Sequence, residues 1–416
     1  MPGSRLVRRG VVALALAAVT LPGAPGAGAA PKPKPAAVVV ATFDTGTNPF
    51  HPCWRRPGLT HPRSRTAAYP SSSKPLKLTF AKTYEESKYR SKKALAAVKP
   101  DTLYHVPGTN LSFYGGQGAA TELVDNYPHG AQASSQIACG GAYGLAPDAQ
   151  LVVLNWYDGT SSVSALMSWV ARQSWIDVVH LNIQDLPTGI PDERVREVID
   201  SGKLVVIAAG NGVAGYGASY PMELSAYNAP KGSLIAGAND NGGYTTFSNL
   251  DPHVVMDGFG TVAAQPYDFG STSFSGTSSS SPRITGYAAR LVADARARWG
   301  HSGKGLVTIP AGRPRPKSGP LADGTLTPAD LHEVIRRTAD PNPHDSRYDG
   351  TPSGSVQYPP VPQPADLPYA FYPKMGYGEV SEHTLPTALA VLNGTKPLPA
   401  RPVEDAFYAA SESLRR

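Results

Sequence analysis

Cysteine is scarce: the 416 residues contain two, Cys53 and Cys139, so the chain can close at most one disulfide of its own. Charge is scarce as well. Charged residues make up 17% against 41% apolar ones, a balance that favours folding around a sizeable core. Three of the positive charges behind the net +6 are Arg5, Arg8 and Arg9, in a first thirty residues without an acid, which leaves +3 from residue 31 onward. That is too little to favour nucleic acid or an anionic membrane as a partner. No segment after residue 30 is long and apolar enough to span a bilayer, and no internal repeat is visible. Glycine (42) and proline (41) are abundant and imply many turns and long loops.

The first thirty residues read as an export signal. A basic start precedes an apolar run from Val11 to Leu21, and Ala27-Gly28-Ala29 forms a small-residue cleavage site. Arg8-Arg9 ahead of that run also permits twin-arginine export. The run is about half the length a membrane span requires. In an exported chain Cys53 and Cys139 can form one disulfide; two separate thiols are the alternative. Residues 31–37, with alternating Pro and Lys, read as an extended linker.

From Val38 the pattern changes. Val38 to Phe43, Leu151 to Leu154, Val178 to Ile183 and Leu204 to Ala208 are apolar, β-branched runs suited to buried parallel strands. Helical patterns lie at Val163 to Gln173 and Asp192 to Ile199, and further helices are expected at Ser278 to Arg298, Pro328 to Thr338 and Thr384 to Leu392. Strands alternating with helices predict an α/β fold: a doubly wound, mostly parallel sheet with helices on both faces. Residues 50–118, 300–325 and 339–368 fit the alternation poorly and read as insertions on one domain.

Four segments could supply the parts of a hydroxyl nucleophile: the hydroxyl, its base, an acid that orients the base, and donors for an oxyanion. Asp44-Thr45-Gly46 ends the first strand, where α/β proteins place their sites. His129-Gly130 opens a small-residue stretch to Cys139 and is followed by Gly144-Leu145-Ala146-Pro147. Ala209-Gly210-Asn211 follows the Leu204 strand. Ser275-Gly276-Thr277-Ser278-Ser279-Ser280-Ser281-Pro282 leads into a helix, so that Ser278 sits at a helix N-terminus, with Pro282 expected inside the first turn. Alone, each has an ordinary reading: a turn, a packed histidine, a strand-ending Gly-Asn, a serine-rich cap.

Together they closely resemble the subtilisin-like serine peptidases. That family's nucleophile motif is Gly-Thr-Ser-x-x-x-Pro, its acid motif Asp-Thr-Gly, and its oxyanion asparagine lies in Ala-Gly-Asn. Its histidine motif is His-Gly with Gly-Val-Ala-Pro downstream. The order Asp, His, Asn, Ser is also the family's. The resemblance implies a peptidase domain over 38–416, with an insertion at about 50–118 and a C-terminal extension of the core from about 300. It implies Asp44, His129 and Ser278 as a catalytic triad, Asn211 as oxyanion donor, and polypeptides as substrates of a secreted, monomeric endopeptidase. Asn182-Ile183-Gln184 matches the family's substrate-lining Ser-x-Gly strand, and Met375 to Val380 resembles the Gly-x-Gly turn before its last helix. No cofactor is implied; family members often bind calcium, but no ligand spacing stands out here.

Three departures qualify the resemblance. Asp44 and His129 are 85 positions apart, which the 50–118 insertion explains. Gln184 stands where the family has glycine, so specificity does not carry over. The linker leaves no room for the family's N-terminal pro-region. The sedolisins share Gly-Thr-Ser-x-Ser-x-Pro but put Glu and Asp where this chain has His129 and Asn211. An esterase would need a Gly-x-Ser-x-Gly elbow, which Ser278 lacks. The alternative of another class is a non-catalytic subtilase-like protein that binds peptide or cell-wall partners.

Overall fold

A computed structural model describes residues 37–80, 98–116, 125, 127–156, 163–182, 192–212, 231–240, 245, 247–249, 251–303, 305–341 and 375–413. The expected export signal, most of the linker, Ile183 and Gln184 lie outside the described residues.

The centre of the molecule is a nine-stranded sheet. In chain order its strands are β1 (Val39–Asp44), β2 (Lys74–Pro75), β3 (Thr102–His105), β4 (Leu111–Gly115), β5 (Gln150–Asn155), β6 (Val178–Leu181), β7 (Leu204–Ala208), β8 (Leu234–Asn239) and β9 (Val254–Asp257). Their spatial order is β2-β3-β4-β5-β1-β6-β7-β8-β9. Only β3 and β4 run antiparallel within it. Every residue of β1, β5, β7 and β8 is buried, so both faces of the sheet are covered, as continuous apolar runs require. The stretch expected as an insertion supplies β2, β3 and β4, which extend the sheet beyond β5.

Seven helices accompany the sheet among the described residues: α1 (His129–Ala138), α2 (Val163–Arg172), α3 (Asp192–Asp200), α4 (Thr277–Trp299), α5 (Pro328–Thr338), α6 (Leu385–Leu392) and α7 (Pro402–Ser413). A hairpin of β10 (Thr261–Ala264) and β11 (Ser271–Phe274) leads into α4. The long helix α4 packs across β6 to β9 and against α1. Its far end is pinned to the sheet by a buried pair: Arg296 donates to both oxygens of Asp177 (2.6 and 3.1 Å), and Asp177 accepts the Val39 N–H at 2.8 Å. A cut at either partner would strand a buried charge, which costs roughly 3–5 kcal/mol.

Pro282 departs from expectation. It lies five residues after Thr277, the first residue of α4, so it is past the first turn. Proline has no N–H, and the Ser278 carbonyl four residues earlier loses its helical partner. The Asn182 side chain takes that place, donating to the Ser278 carbonyl at 3.1 Å.

Candidate active site

Strands β1, β6 and β7 are parallel neighbours, so their carboxyl ends open at one edge of the sheet. Asp44 ends β1, Asn182 follows β6, and Asn211 lies three residues past β7. Helices α1 and α4 begin at the same edge with His129 and Thr277-Ser278.

Asp44 is fully buried, and each carboxylate oxygen is occupied. Oδ1 accepts from the Thr45 N–H at 2.8 Å and from His129 Nδ1 at 2.7 Å; Oδ2 accepts from Asn182 Nδ2 at 3.0 Å. Burial opposes ionisation, but the His129 charge and these donors outweigh it and hold the carboxyl below its ordinary value. For His129 the balance runs the same way. Burial disfavours the imidazolium, while Asp44 and then Asp125 favour it, and the pKa lies above the ordinary 6.5. The Nδ1–H bond to Asp44 leaves Nε2 bare on a side chain that keeps 26% exposure. The Phe274 ring meets the imidazole edge-on, with centroids 5.4 Å apart.

The close approach of α1 to the Asp44 loop depends on Gly130. A Cβ there would fall 2.4 Å from the Gly46 carbonyl oxygen, so any larger residue would push His129 off Asp44. Pro128 offers the helix no side-chain cap, and two other residues satisfy its first donors. Thr45 Oγ1 accepts the Gly130 N–H at 2.8 Å, and Asp125 Oδ2 accepts the Ala131 N–H at 2.7 Å. Burial pushes the Asp125 carboxyl up to about 6. Asp125 was invisible to sequence reasoning: a single acid four residues ahead of the His-Gly motif has no signature.

At the other arm Gly276 adopts φ +115°, a conformation L side chains rarely take, which turns the chain into α4. Asn211 Oδ1 accepts from the Thr277 N–H (2.9 Å) and hydroxyl (3.1 Å). The Asn211 amide is thereby clamped with Nδ2 beside Gly276, 3.3 Å from where a Cβ would stand. Thr277 is thus a second residue of the site, legible only as a neighbour of Ser278. Ser278 is half-buried at the start of α4. Among the described residues no direct hydrogen bond joins its hydroxyl to His129.

The two arms are stitched together below the surface. Gln136 on α1 donates to Thr261 Oγ1 at 2.6 Å and accepts from Ser279 Oγ of α4 at 3.1 Å. At the far end of α1, Cys139 is joined to Cys53 in a disulfide, with Cα atoms 5.1 Å apart. His51 stands beside the two sulfurs, the single cluster of metal-binding residue types among the described residues. Those sulfurs are already bonded to each other, and calcium prefers oxygen ligands. Of the residues matched to a substrate strand, Asn182 faces inward onto Asp44 and Ser278; Ile183 and Gln184 lie outside the described residues.

Subtilisin-like protease 4 of Trichophyton equinum is 28% identical over 43% of this chain and 47% of its own length. The same figures hold for the subtilisin-like serine protease Pen ch 13 of Penicillium rubens. The chain thus spans about half the length of the curated relatives it matches. Among solved structures, a cold adapted subtilisin-like serine proteinase aligns with 75% of this chain and 85% of its own, at 19% identity and a TM-score of 0.44. The sequence model of the subtilase family matches residues 36–352. A match that runs from the first strand past the helix carrying Ser278, over well more than half the residues, settles the kinship: this chain belongs to the subtilase family.

Proposed function

We propose that the protein is a secreted serine endopeptidase in which Ser278 attacks the scissile carbonyl of a polypeptide. The observation that carries this reading is the 2.7 Å contact of His129 Nδ1 with the buried Asp44 carboxylate, at the sheet edge where Ser278 opens α4. With Nδ1–H committed to Asp44, Nε2 is the basic nitrogen. It takes the Ser278 proton as Oγ bonds to the carbonyl carbon, and the carbonyl π electrons move to oxygen. The resulting oxyanion is held by the Ser278 N–H at the helix N-terminus and by Asn211 Nδ2. His129 then returns the proton to the leaving amine, the C–N bond breaks, and an acyl-enzyme remains. Water repeats the sequence and frees Ser278. Asp44 stays ionised throughout and stabilises the imidazolium.

Export fits the apolar start of the chain and the Cys53–Cys139 disulfide, a bond favoured in oxidising compartments. Among the described residues no helix is long and apolar enough to cross a membrane. A fluorophosphonate probe tests the reading: it should label wild type on Ser278 and leave Ser278→Ala unlabelled. A wild type that neither labels nor hydrolyses peptides would instead support a non-catalytic peptide-binding protein.

A further inference from the structure

Behind Asp44 lies a second polar array that the mechanism above does not use. It comprises Thr42 on β1, His180 on β6, Ser281 on α4 and Asn182, all buried. Thr42 Oγ1 meets His180 Nδ1 at 2.9 Å, and His180 Nε2 meets Ser281 Oγ at 2.6 Å. Ser281 Oγ meets Asn182 Oδ1 at 3.3 Å, and Asn182 Nδ2 meets Asp44 Oδ2 at 3.0 Å. A histidine inside an apolar strand usually satisfies itself locally; this one is coupled through two side chains, Ser281 and Asn182, to the acid of the site.

The direction of every bond follows from the donors available. Asn182 Nδ2 faces two groups that can only accept, the Asp44 carboxylate and the Ser278 carbonyl, so the amide has one orientation. Its Oδ1 therefore faces Ser281, whose hydroxyl must donate. The Ser281 oxygen is then the acceptor of His180 Nε2–H. Burial, the dominant influence, pulls the His180 pKa down to about 3, so the ring is neutral and Nδ1 is bare. Thr42 donates to it. All four bonds point the same way, toward Asp44, and chains of one polarity strengthen their last member in a low-dielectric interior.

We propose that His180, Ser281 and Asn182 are positioning residues: a buried one-way hydrogen-bond chain that terminates on the second oxygen of Asp44 and sets how strongly that carboxylate holds His129. Asn182 has a further task, because Pro282 frees the Ser278 carbonyl that it takes up. One side chain thus fixes the acid and the nucleophile segment relative to each other. The chain's role in turnover rests on the proposed function; its effect on His129 does not.

The groups facing His129 are Asp44 from β1, Asp125 from the segment before α1, and neutral His180 from β6. Breaking the chain at Ser281 or His180 weakens Asn182 as a donor to Asp44, which leaves the carboxylate charge less dispersed and strengthens its pull on the imidazolium. The His129 pKa then rises further, and activity on the acid side is lost at higher pH. The experiment is NMR titration of His129 in wild type, Ser281→Ala, His180→Leu and His180→Gln, with pH–rate profiles on a peptide substrate. Ser281→Ala and His180→Leu should raise the His129 pKa by about half a unit or more. They should lower kcat roughly tenfold with KM changed less than about twofold. His180→Gln keeps a donor near Nε2 and should stay close to wild type. If His180→Leu does not fold, Ser281→Ala against His180→Gln carries the same contrast. An unmoved His129 titration in folded Ser281→Ala overturns the proposal. A His129 shift without any peptide hydrolysis in wild type would keep the chain and refute the peptidase reading.

Discussion

Replacing both Cys53 and Cys139 with alanine should strip much of the fold's stability and leave the chemistry nearly intact. The disulfide spans 86 positions. Closing a loop of that length removes roughly 15 cal/mol/K of entropy from the unfolded chain, or about 4–5 kcal/mol at 25 °C, in the chain-entropy account. In the folded protein the same two segments are also held without sulfur. Gly140 donates to the Cys53 carbonyl at 2.9 Å, and Arg56 donates to the carbonyls of Cys53 (2.8 Å) and Ala138 (3.2 Å). The C-terminal end of α1 therefore stays in place, and His129 with it. Alanine is the right replacement because Cys139 is wholly buried and a serine would bring a hydroxyl into the core. Guanidinium unfolding followed by tryptophan fluorescence should give a lower midpoint, with Trp54, buried beside Cys53, among the reporters. The slope should rise, because an unfolded chain without the cross-link exposes more surface. A loss under about 1 kcal/mol would refute the loop argument. Inactivity of a folded double variant would show that the disulfide positions His129 directly.

Asn211→Ala should lower kcat by roughly 10²–10³ with little change in KM, a magnitude known for the corresponding donor in subtilisin rather than worked from this structure; steady-state kinetics that show a KM effect alone would remove Asn211 from the oxyanion site. Protonated His129 cannot accept the Ser278 proton, and its pKa lies above 6.5, so kcat/KM should fall as pH drops through a value above 6.5; a profile flat down to pH 6 would contradict the pairing with Asp44. Stability should also weaken in acid. Burial pulls His105 and His301 down to about 4 and His180 to about 3, so these rings stay neutral in the fold while the unfolded chain protonates below 6.5. Asp125, raised to about 6, acts in the opposite sense. These three histidines outnumber that carboxyl, so near pH 5 the unfolded chain takes up more protons at these positions than the fold does, and stability falls with falling pH. Denaturation midpoints that do not fall from pH 6.5 to pH 5 would show these histidines to be open to solvent.

Much of the candidate site was legible because its residues lie in contiguous motifs. Gly276 ahead of Thr277-Ser278 and Gly130 after His129 belong to the motifs that open α4 and α1, while the dependence of the approach to Asp44 on Gly130 emerges only in the structure. β1, β5, β6 and β7 were legible as unbroken apolar runs. β8 and β9 were not foreseen: Leu234–Asn239 is interrupted by Gly237, and Val254–Asp257 is too short to stand out from the loops around it. The helix expected from Ser278 to Arg298 spans Thr277 to Trp299, but the role of Pro282 was misjudged. Its missing N–H matters through Asn182, a partner 96 positions away from Ser278. His180 and Ser281 are 101 positions apart, and neither Val178–Leu181 nor the serine run hints at the other. Contacts of that separation are set by the stacking of β1, β6 and α4, which no local pattern encodes.

The most direct test of the account is peptide hydrolysis by wild type and Ser278→Ala, expressed, matured and purified side by side. Wild type should turn over a denatured protein substrate, with internal cleavages visible by mass spectrometry. Ser278→Ala should retain the fold by circular dichroism and lose nearly all turnover, and adding His129→Ala should cost little more, because the triad acts as a unit. Equal rates for wild type and Ser278→Ala would contradict the assignment of Ser278 as nucleophile.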